Sequence, residues 1–214
     1  MIESCKVCQE HLLSIAPEPL LMEAIPSQVF EDISVDPFSH QNNHYMICVD
    51  RFSGWPVVEE WIGRDLRSKD IIDELRKWFM MMGAPNRLRS DGGPQFTSSE
   101  IREFLDEWGV LHVFSSPHFP QSNGHAEAAV KAMKILLIKT APKRIKDSDS
   151  FARGLLEWRN TPKADGLSQN QIIFGHNLRS HIPVYPSSFV KRRLTAETID
   201  QARDGGRRRM KNMS

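Results

Sequence analysis

The sequence has few of the features that mark secreted or membrane proteins. Only three of its 214 residues are cysteines, and two of them form a single Cys5-x-x-Cys8 pair, which is too few for a disulfide framework. No apolar run approaches the ~20 residues that a membrane-spanning helix needs. No apolar stretch follows a basic lead at the start, so we expect no signal peptide. A reducing, intracellular setting without a membrane partner is the expectation.

The chain also has almost no net charge, +1 at pH 7, but its charges are unevenly distributed. From residue 191 onward eight Lys and Arg stand against three Asp and Glu, whereas the preceding 190 residues carry 20 against 24. The basic residues cluster in Lys191–Arg193 and Arg207–Arg209. A tail of this kind can hold nucleic-acid phosphates by attraction that depends on salt and not on sequence. A solvated, disordered end is the alternative, and both can be true together.

The spacing of hydrophobic residues predicts an α/β protein. Three β-rich runs separated by polar turns come first, and the simplest pairing for them is an antiparallel meander. Helical spacing then alternates with two further short β-rich segments. This order predicts a mixed five-stranded sheet flanked by helices. The predicted strands are Val29–Val35, Tyr45–Val49, Pro56–Ile62, Arg87–Ser90 and Val110–Phe114, and the predicted helices are Ile71–Met82, Ile101–Trp108 behind a capping box at Thr97–Glu100, His125–Thr140 and Ser148–Arg159.

Three acidic residues stand out by their positions in this pattern. Asp36 follows the first predicted strand, Asp91 ends the fourth, and Glu127 lies in the first turn of a helix. If the first and fourth strands are neighbours, Asp36 and Asp91 meet, and the helix has only to lay Glu127 over them. Clustered carboxylates need a hard cation such as Mg²⁺ or Mn²⁺, and two such ions promote in-line displacement at a phosphodiester. Turn formation and the helix dipole explain each residue separately, so the pattern alone leaves both interpretations open.

Two segments closely resemble the catalytic segments of gypsy-type LTR retrotransposon integrases, namely Ser90–Phe96 and His118–Glu127. The resemblance, which also takes in the retroviral integrases, implies a ribonuclease H-like fold with an Asp, Asp, Glu triad. The 35 residues between Asp91 and Glu127 are the family's characteristic gap. The resemblance runs roughly from Pro19 to Pro183. Further similar segments are Val49–Pro56, Trp158–Pro162 and Ile173–His176.

Three aspartates compete for the first position of the triad. Asp32 precedes Asp36 by four residues and therefore lies on the same side of the strand. Asp50 closes the second strand, which puts it at the opposite end of the sheet from Asp91 if that strand is antiparallel to the first. Asp36 falls where the family's first triad aspartate lies. We therefore expect Asp36, Asp91 and Glu127 to be the catalytic residues and to hold two Mg²⁺ or Mn²⁺ ions.

The helix that carries Glu127 also offers candidates for DNA contact. Lys131 and Lys134 lie four and seven residues further on, on the same helix face, and such a row suits a phosphate backbone. The resemblance supports this role, since retroviral integrases hold the end of the element's DNA with two lysines. A solvated helix face is the alternative. Asn123 in the preceding loop can hydrogen-bond bases or sugars, although loop and capping chemistry also explain it.

The resemblance divides the chain into three regions. Residues 1–18 are a remnant of a zinc-binding module with its linker, 19–183 the catalytic core with a helical extension, and 184–214 the basic C-terminal tail. The pair Cys5 and Cys8 resembles the second half of the His-His-Cys-Cys module that precedes the family's core. The histidines of that module would lie before Met1, and a structural zinc needs four ligands, so we expect no zinc.

The resemblance implies a polynucleotidyl transferase that acts on DNA in two steps. Water trims the 3′ end of the element's DNA, and the freed hydroxyl then attacks a phosphodiester of the target DNA. An active protein of this kind is expected to be a nuclear homo-oligomer. The alternatives are a catalytically silent nucleic-acid-binding remnant or host-adopted copy, and a plain metal-dependent nuclease.

Overall fold

The computed structural model describes residues 26–114, 124–140, 148–195, 197–202 and 204, with only the backbone for residues 124–128. Its centre is a five-stranded sheet in the order β3-β2-β1-β4-β5. The first three strands form an antiparallel meander, and β4 and β5 run parallel to β1. The predicted mixed sheet is confirmed, as is its meander. The strands are β1 (Asp32–His40), β2 (Asn43–Asp50), β3 (Pro56–Ile62), β4 (Arg87–Ser90) and β5 (Leu111–Phe114).

Helices follow the strands closely along the chain. The predicted helices are all present, whereas α2, α6 and the short 3-10 turn after α6 were not predicted. Within the described residues no helix is long and apolar enough to span a membrane. The helices are α1 (Ser68–Met82), α2 (Pro94–Thr97), α3 (Ser99–Glu107), α4 (Gly124–Thr140), α5 (Asp149–Asn160) and α6 (Gln169–Phe174), and the 3-10 turn is Pro186–Phe189.

The two faces of the sheet support two separate cores because strand side chains alternate in direction. On one face, Ile33 and Val35 of β1 pack with α1, α2 and α3. On the other face, Phe38 of β1 and Ile47 of β2 pack against the buried side of α4 and against α5. The sheet is therefore a middle layer, and the even-numbered residues of β1 face α4.

Several element boundaries differ from the prediction by one to three residues, and the first strand differs most. The first strand was expected to end at Val35 but continues to His40, passing through Pro37. Proline is tolerated at a free strand edge, and β1 has one there in the described part of the sheet because β4 ends at Ser90. The cap of α3 is also one residue later than predicted, since the Ser98 hydroxyl accepts the Ile101 N–H at 3.3 Å.

Candidate active site

The pairing of β1 with β4 brings the segments that carry Asp36 and Asp91 to the same end of the sheet. The two strands are parallel, with Ile33 opposite Leu88 and Ser34 opposite Arg89. Asp36 and Asp91 each follow the last paired residue of their strand by two positions, at the C-terminal end of the parallel pair. Asp36 is still within β1, whereas Asp91 is the first residue after β4.

The turn after β4 keeps the Asp91 carboxylate close to its own backbone. Asp91 is exposed, and its Oδ1 accepts the Gly93 N–H at 3.1 Å. A Cβ at Gly93 would lie 3.0 Å from that same Oδ1 and 2.7 Å from Nε2 of Gln95. Any side chain at position 93 would therefore crowd the carboxylate, which explains the glycine.

The helix α4 lies over the sheet face to which Asp36 belongs. Its buried residues Val130, Met133 and Leu137 pack in the core that contains Ile47, the register partner of Asp36. Glu127 is in the first turn of α4. Its side chain and the whole of Asn123 fall outside the described residues, so their roles stay predictions. Among the side chains that are described, no three or more His, Cys, Asp or Glu are grouped closely enough to hold a metal ion.

Lys134 places a positive charge of α4 beside the sheet face to which Asp36 belongs. Its Nζ lies 5.0 Å from the ring centroid of Phe38, a cation–π contact, and Phe38 is two residues from Asp36 on the same face of β1. Lys131, three residues earlier on α4, is exposed like Lys134. The two lysines that the sequence predicted are therefore on the surface beside the Asp36 face, and their contact with DNA stays a prediction.

Asp32, one of the two alternatives to Asp36, has a structural partner. Its two oxygens each lie 3.1 Å from Nε of Arg89, and its Oδ2 accepts a further hydrogen bond from Nη1 of Arg51 at 3.2 Å. Asp32 is only 3% exposed. A buried carboxylate neutralised by two arginines stabilises the sheet and does not need a metal ion.

Asp50, the other alternative, shapes the turn between β2 and β3. Its carboxylate accepts the backbone N–H groups of Phe30 and Ser53, each at 2.9 Å, and the Ser53 hydroxyl. Burial raises the pKa of this carboxyl group above its ordinary value, although these hydrogen bonds oppose the shift. The register pairs Asp50 with Ile33, three residues before Asp36. As expected for an antiparallel strand, it lies away from the end that carries Asp91.

Comparison with known proteins shows what the chain is similar to. Residues 27–120 match the family described as integrase core domain. All five strands of the sheet lie within the matched range. The chain is 27% identical over 183 residues to the uncharacterized protein K02A2.6 of Caenorhabditis elegans and 26% identical over 184 residues to the Gag-Pol polyprotein of Walleye dermal sarcoma virus. These alignments cover 84% and 82% of the chain but only 14% and 10% of the two relatives.

Solved structures confirm the fold of the chain. The chain is similar to a simian T-cell lymphotropic virus intasome bound to the PP2A regulatory subunit B56 gamma, with a TM-score of 0.66 and 20% identity over 86% of this chain and 67% of that one. It is also similar to the catalytic core domain of BIV integrase, with a TM-score of 0.55 and 19% identity over 67% of this chain and 93% of that one. The predicted ribonuclease H-like architecture is therefore confirmed.

A buried polar network joins the matched range to the helices that follow it. The Trp55 indole donates to Asn170 Oδ1 at 3.1 Å, and the Asn170 amide donates to Asn160 Oδ1 at 2.7 Å. Arg159 stacks over Trp55 with its Cζ 3.9 Å from the ring centroid, and burial lowers its pKa to about 10. The sequence marked Trp55, Arg159 and Asn160 only through the resemblance. Their contact with α6 has no local signal, because α6 lies more than 100 residues from Trp55.

Proposed function

We propose that this chain contains the catalytic core of a polynucleotidyl transferase that performs 3′-end processing and DNA strand transfer for a retrotransposon. One observation supports the proposal: β1 and β4 are parallel neighbours, and Asp36 and Asp91 each follow their last paired residues by two positions, in a range that matches the integrase core domain. Two carboxylates that lie close together raise each other's energy by repulsion unless a cation neutralises them. The assignment of Asp36, Asp91 and Glu127 as catalytic residues follows from this placement and the resemblance.

The donor set of the site fits a hard divalent cation. Carboxylate oxygens are the ligands that Mg²⁺ and Mn²⁺ prefer, and Asp36 and Asp91 supply them, with Glu127 as the third proposed ligand. When bound, such ions would activate an attacking oxygen and neutralise the leaving oxygen of a phosphodiester. The protein's contribution is to carry Asp36 within one strand and Asp91 directly after the neighbouring strand, so that little reorganisation is needed during reaction.

The positive side chains of α4 support DNA as the substrate. Lys131 and Lys134 are exposed on the helix that covers the Asp36 face, where a phosphate backbone approaching the carboxylates would meet them. We assign Asn123 to contacts with bases or sugars. The solved relative in an intasome supports a homo-oligomer as the active form, and a nuclear site of action follows from the proposed reaction.

A DNA-joining assay tests this proposal. The full chain is incubated with a labelled duplex and Mn²⁺, and joined and cleaved products are separated on a gel. We expect joined products from the wild-type protein and none from Asp36→Asn or Asp91→Asn. The matched control is Asp73→Asn, because Asp73 belongs to α1 on the opposite side of the sheet and is half exposed.

The assay also separates the alternative functions. Cleaved ends without joining would indicate a metal-dependent nuclease. A mobility shift without any new product would indicate a silent nucleic-acid-binding protein. Full activity in both Asp36→Asn and Asp91→Asn would contradict the assigned site itself.

A further inference from the structure

We propose that His112 of β5 is a positioning residue for Asp91, and that it acts through the hydroxyl group of Ser90. The inference deepens the proposed function and rests on it. His112 holds the Ser90 hydroxyl, and Ser90 in turn restrains the backbone of Asp91, one of the proposed metal ligands.

A short chain of hydrogen bonds connects the three residues. Nε2 of His112 lies 2.8 Å from Oγ of Ser90, and that hydroxyl donates to the backbone oxygen of Asp91 at 2.9 Å. A serine hydroxyl has one hydrogen, and here that hydrogen goes to Asp91. With this assignment the imidazole donates from Nε2, in the tautomer that carries its hydrogen there.

His112 lies on the face of the sheet opposite to the face of Asp36. The register places it opposite Leu88 and places Ser90 opposite Phe114, and Leu88 belongs to the core under α1 and α3. Asp36 lies on the other face, under α4. The connection of His112 to Asp91 that the hydrogen bonds provide therefore passes through Ser90 and the backbone.

The surroundings of His112 keep the imidazole in the form that this chain of bonds needs. Its ring centroid lies 4.3 Å from that of Phe114. Burial is the main reason why its pKa is lowered from the ordinary value, and the charge of Arg102 adds to the effect. At neutral pH the ring is therefore uncharged and carries one N–H, which the geometry assigns to Nε2.

The Ser90 hydroxyl lies where β4 ends, and beyond this residue the sheet no longer restrains the backbone. The strand β4 ends at Ser90, and the two residues after Asp91 are glycines, which are conformationally permissive. Ser90 is completely buried, so its hydroxyl is a fixed point immediately before Asp91. Loss of the partner that orients a metal ligand costs about 10- to 100-fold in metal affinity or activity.

Four variants of the full chain test the inference: His112→Leu, His112→Gln, Ser90→Ala and the double variant His112→Leu with Ser90→Ala. Mn²⁺ affinity is measured by electron paramagnetic resonance, DNA joining by gel, and folding by thermal denaturation. We expect His112→Leu to lose about tenfold or more in both Mn²⁺ affinity and joining. The amide of His112→Gln can donate to the Ser90 hydroxyl and should restore both. Ser90→Ala should match His112→Leu, and the double variant should be no worse than either.

Several outcomes would overturn the inference: wild-type behaviour of His112→Leu, equal damage from His112→Gln and His112→Leu, or losses that multiply in the double variant. If His112→Leu does not fold, Ser90→Ala decides, since it removes the same link and leaves β5 intact. His181→Gln, at an exposed histidine far along the chain, is the control and should match the wild type. Loss of Mn²⁺ binding in Asp91→Asn with no effect of Ser90→Ala would refute this inference alone. Unchanged Mn²⁺ binding in Asp91→Asn would refute the proposed metal site and this inference with it.

Discussion

Arg89 of β4 holds Asp32 of β1, with Nε 3.1 Å from both carboxylate oxygens and the two side chains each only 5% exposed. Four residues further along β1, on the same face, lies Asp36 of the proposed metal site. One strand therefore carries two aspartates with different assigned roles: arginines neutralise the first, and we propose that the second binds a metal ion. Their substitutions should have different consequences.

Asp32→Asn should lower the free energy of unfolding, although Asp32 is not one of the proposed catalytic residues. It removes the carboxylate charge that pairs with the buried Arg89 and Arg51, and breaking a buried ion pair from one side costs about 3–5 kcal/mol. Asp36→Asn should cost less in the free energy of unfolding and should abolish metal-dependent DNA joining. Urea denaturation and the joining assay measure the two effects. A more damaging effect of Asp36→Asn on stability would reverse the roles that we assign to these residues.

Neutralising the lysines of α4 should weaken DNA binding in a salt-dependent manner. For Lys131→Gln and Lys134→Gln we expect a lower affinity, with the slope of log affinity against log salt reduced by about 0.9 for each phosphate that a lysine no longer neutralises. Fluorescence anisotropy at several salt concentrations measures this slope. Lys77→Gln on α1, on the other side of the sheet, is the matched control. An equal slope in all three variants would place the DNA elsewhere.

The pair of Arg64 and Asp70 at the start of α1 should make stability depend on pH in acid. The hydrogen bonds from Arg64 lower the pKa of Asp70 to about 2, from 3.8. A depressed carboxyl pKa adds stability above the unfolded-state value, and this contribution is lost as pH falls from about 4 to 2. In Arg64→Gln the free energy of unfolding should therefore fall less steeply over that range. Urea denaturation at three pH values tests this.

The exposed pair of Arg76 and Asp73 gives the control for that measurement. Both side chains are 48% exposed, and exposed pairs contribute little. Arg76→Gln should leave the slope of stability against pH unchanged. A similar change of slope in both variants would show that the effect comes from the net charge and not from the Arg64–Asp70 contact.

Asn170→Leu should show how much the buried hydrogen-bond network of Trp55, Asn160 and Asn170 contributes to the free energy of unfolding. The substitution removes the acceptor of the Trp55 indole N–H, whereas the Asn160 amide oxygen keeps the Leu178 N–H as a donor. A buried polar group left unpaired costs about 1–3 kcal/mol, and chemical denaturation should show a loss of at least this size. Asn86→Leu, at an exposed position, is the control. An unchanged midpoint in Asn170→Leu would mean that water replaces the missing amide.

Local sequence information was sufficient for most of the elements. The bounds of β3 and the end of α1 before Gly83 agree with the prediction, because turn and breaker residues lie directly beside them. The pairing of β1 with β4 was conditional in the sequence, and the structure supplies it. Asp36 and Asp91 each lie two residues beyond the last paired residues, Ser34 and Arg89, and their role as metal ligands stays a prediction.

The parts that could not be predicted depend on contacts between distant residues. Asp32 looked like a possible ligand because its partner Arg89 is 57 residues away. The helix α6 was missed because it is six residues long, too short for a helical period, and its Ser168 and Gln171 cap was not recognised. The hydrogen bond from His112 to Ser90 joins two neighbouring strands, so no spacing within either strand reveals it.

The order of the strands also has a consequence for how the protein reaches its native state. The meander of β1, β2 and β3 closes through two short turns, whereas the contact between β1 and β4 joins positions 55 residues apart. Closing the longer loop costs more entropy, and non-local pairing is slow. The meander should therefore fold early, and the Asp36–Asp91 pair should be completed only when β4 docks. The rate of Mn²⁺ uptake during refolding would then report this last step, separately from the collapse of the hairpins.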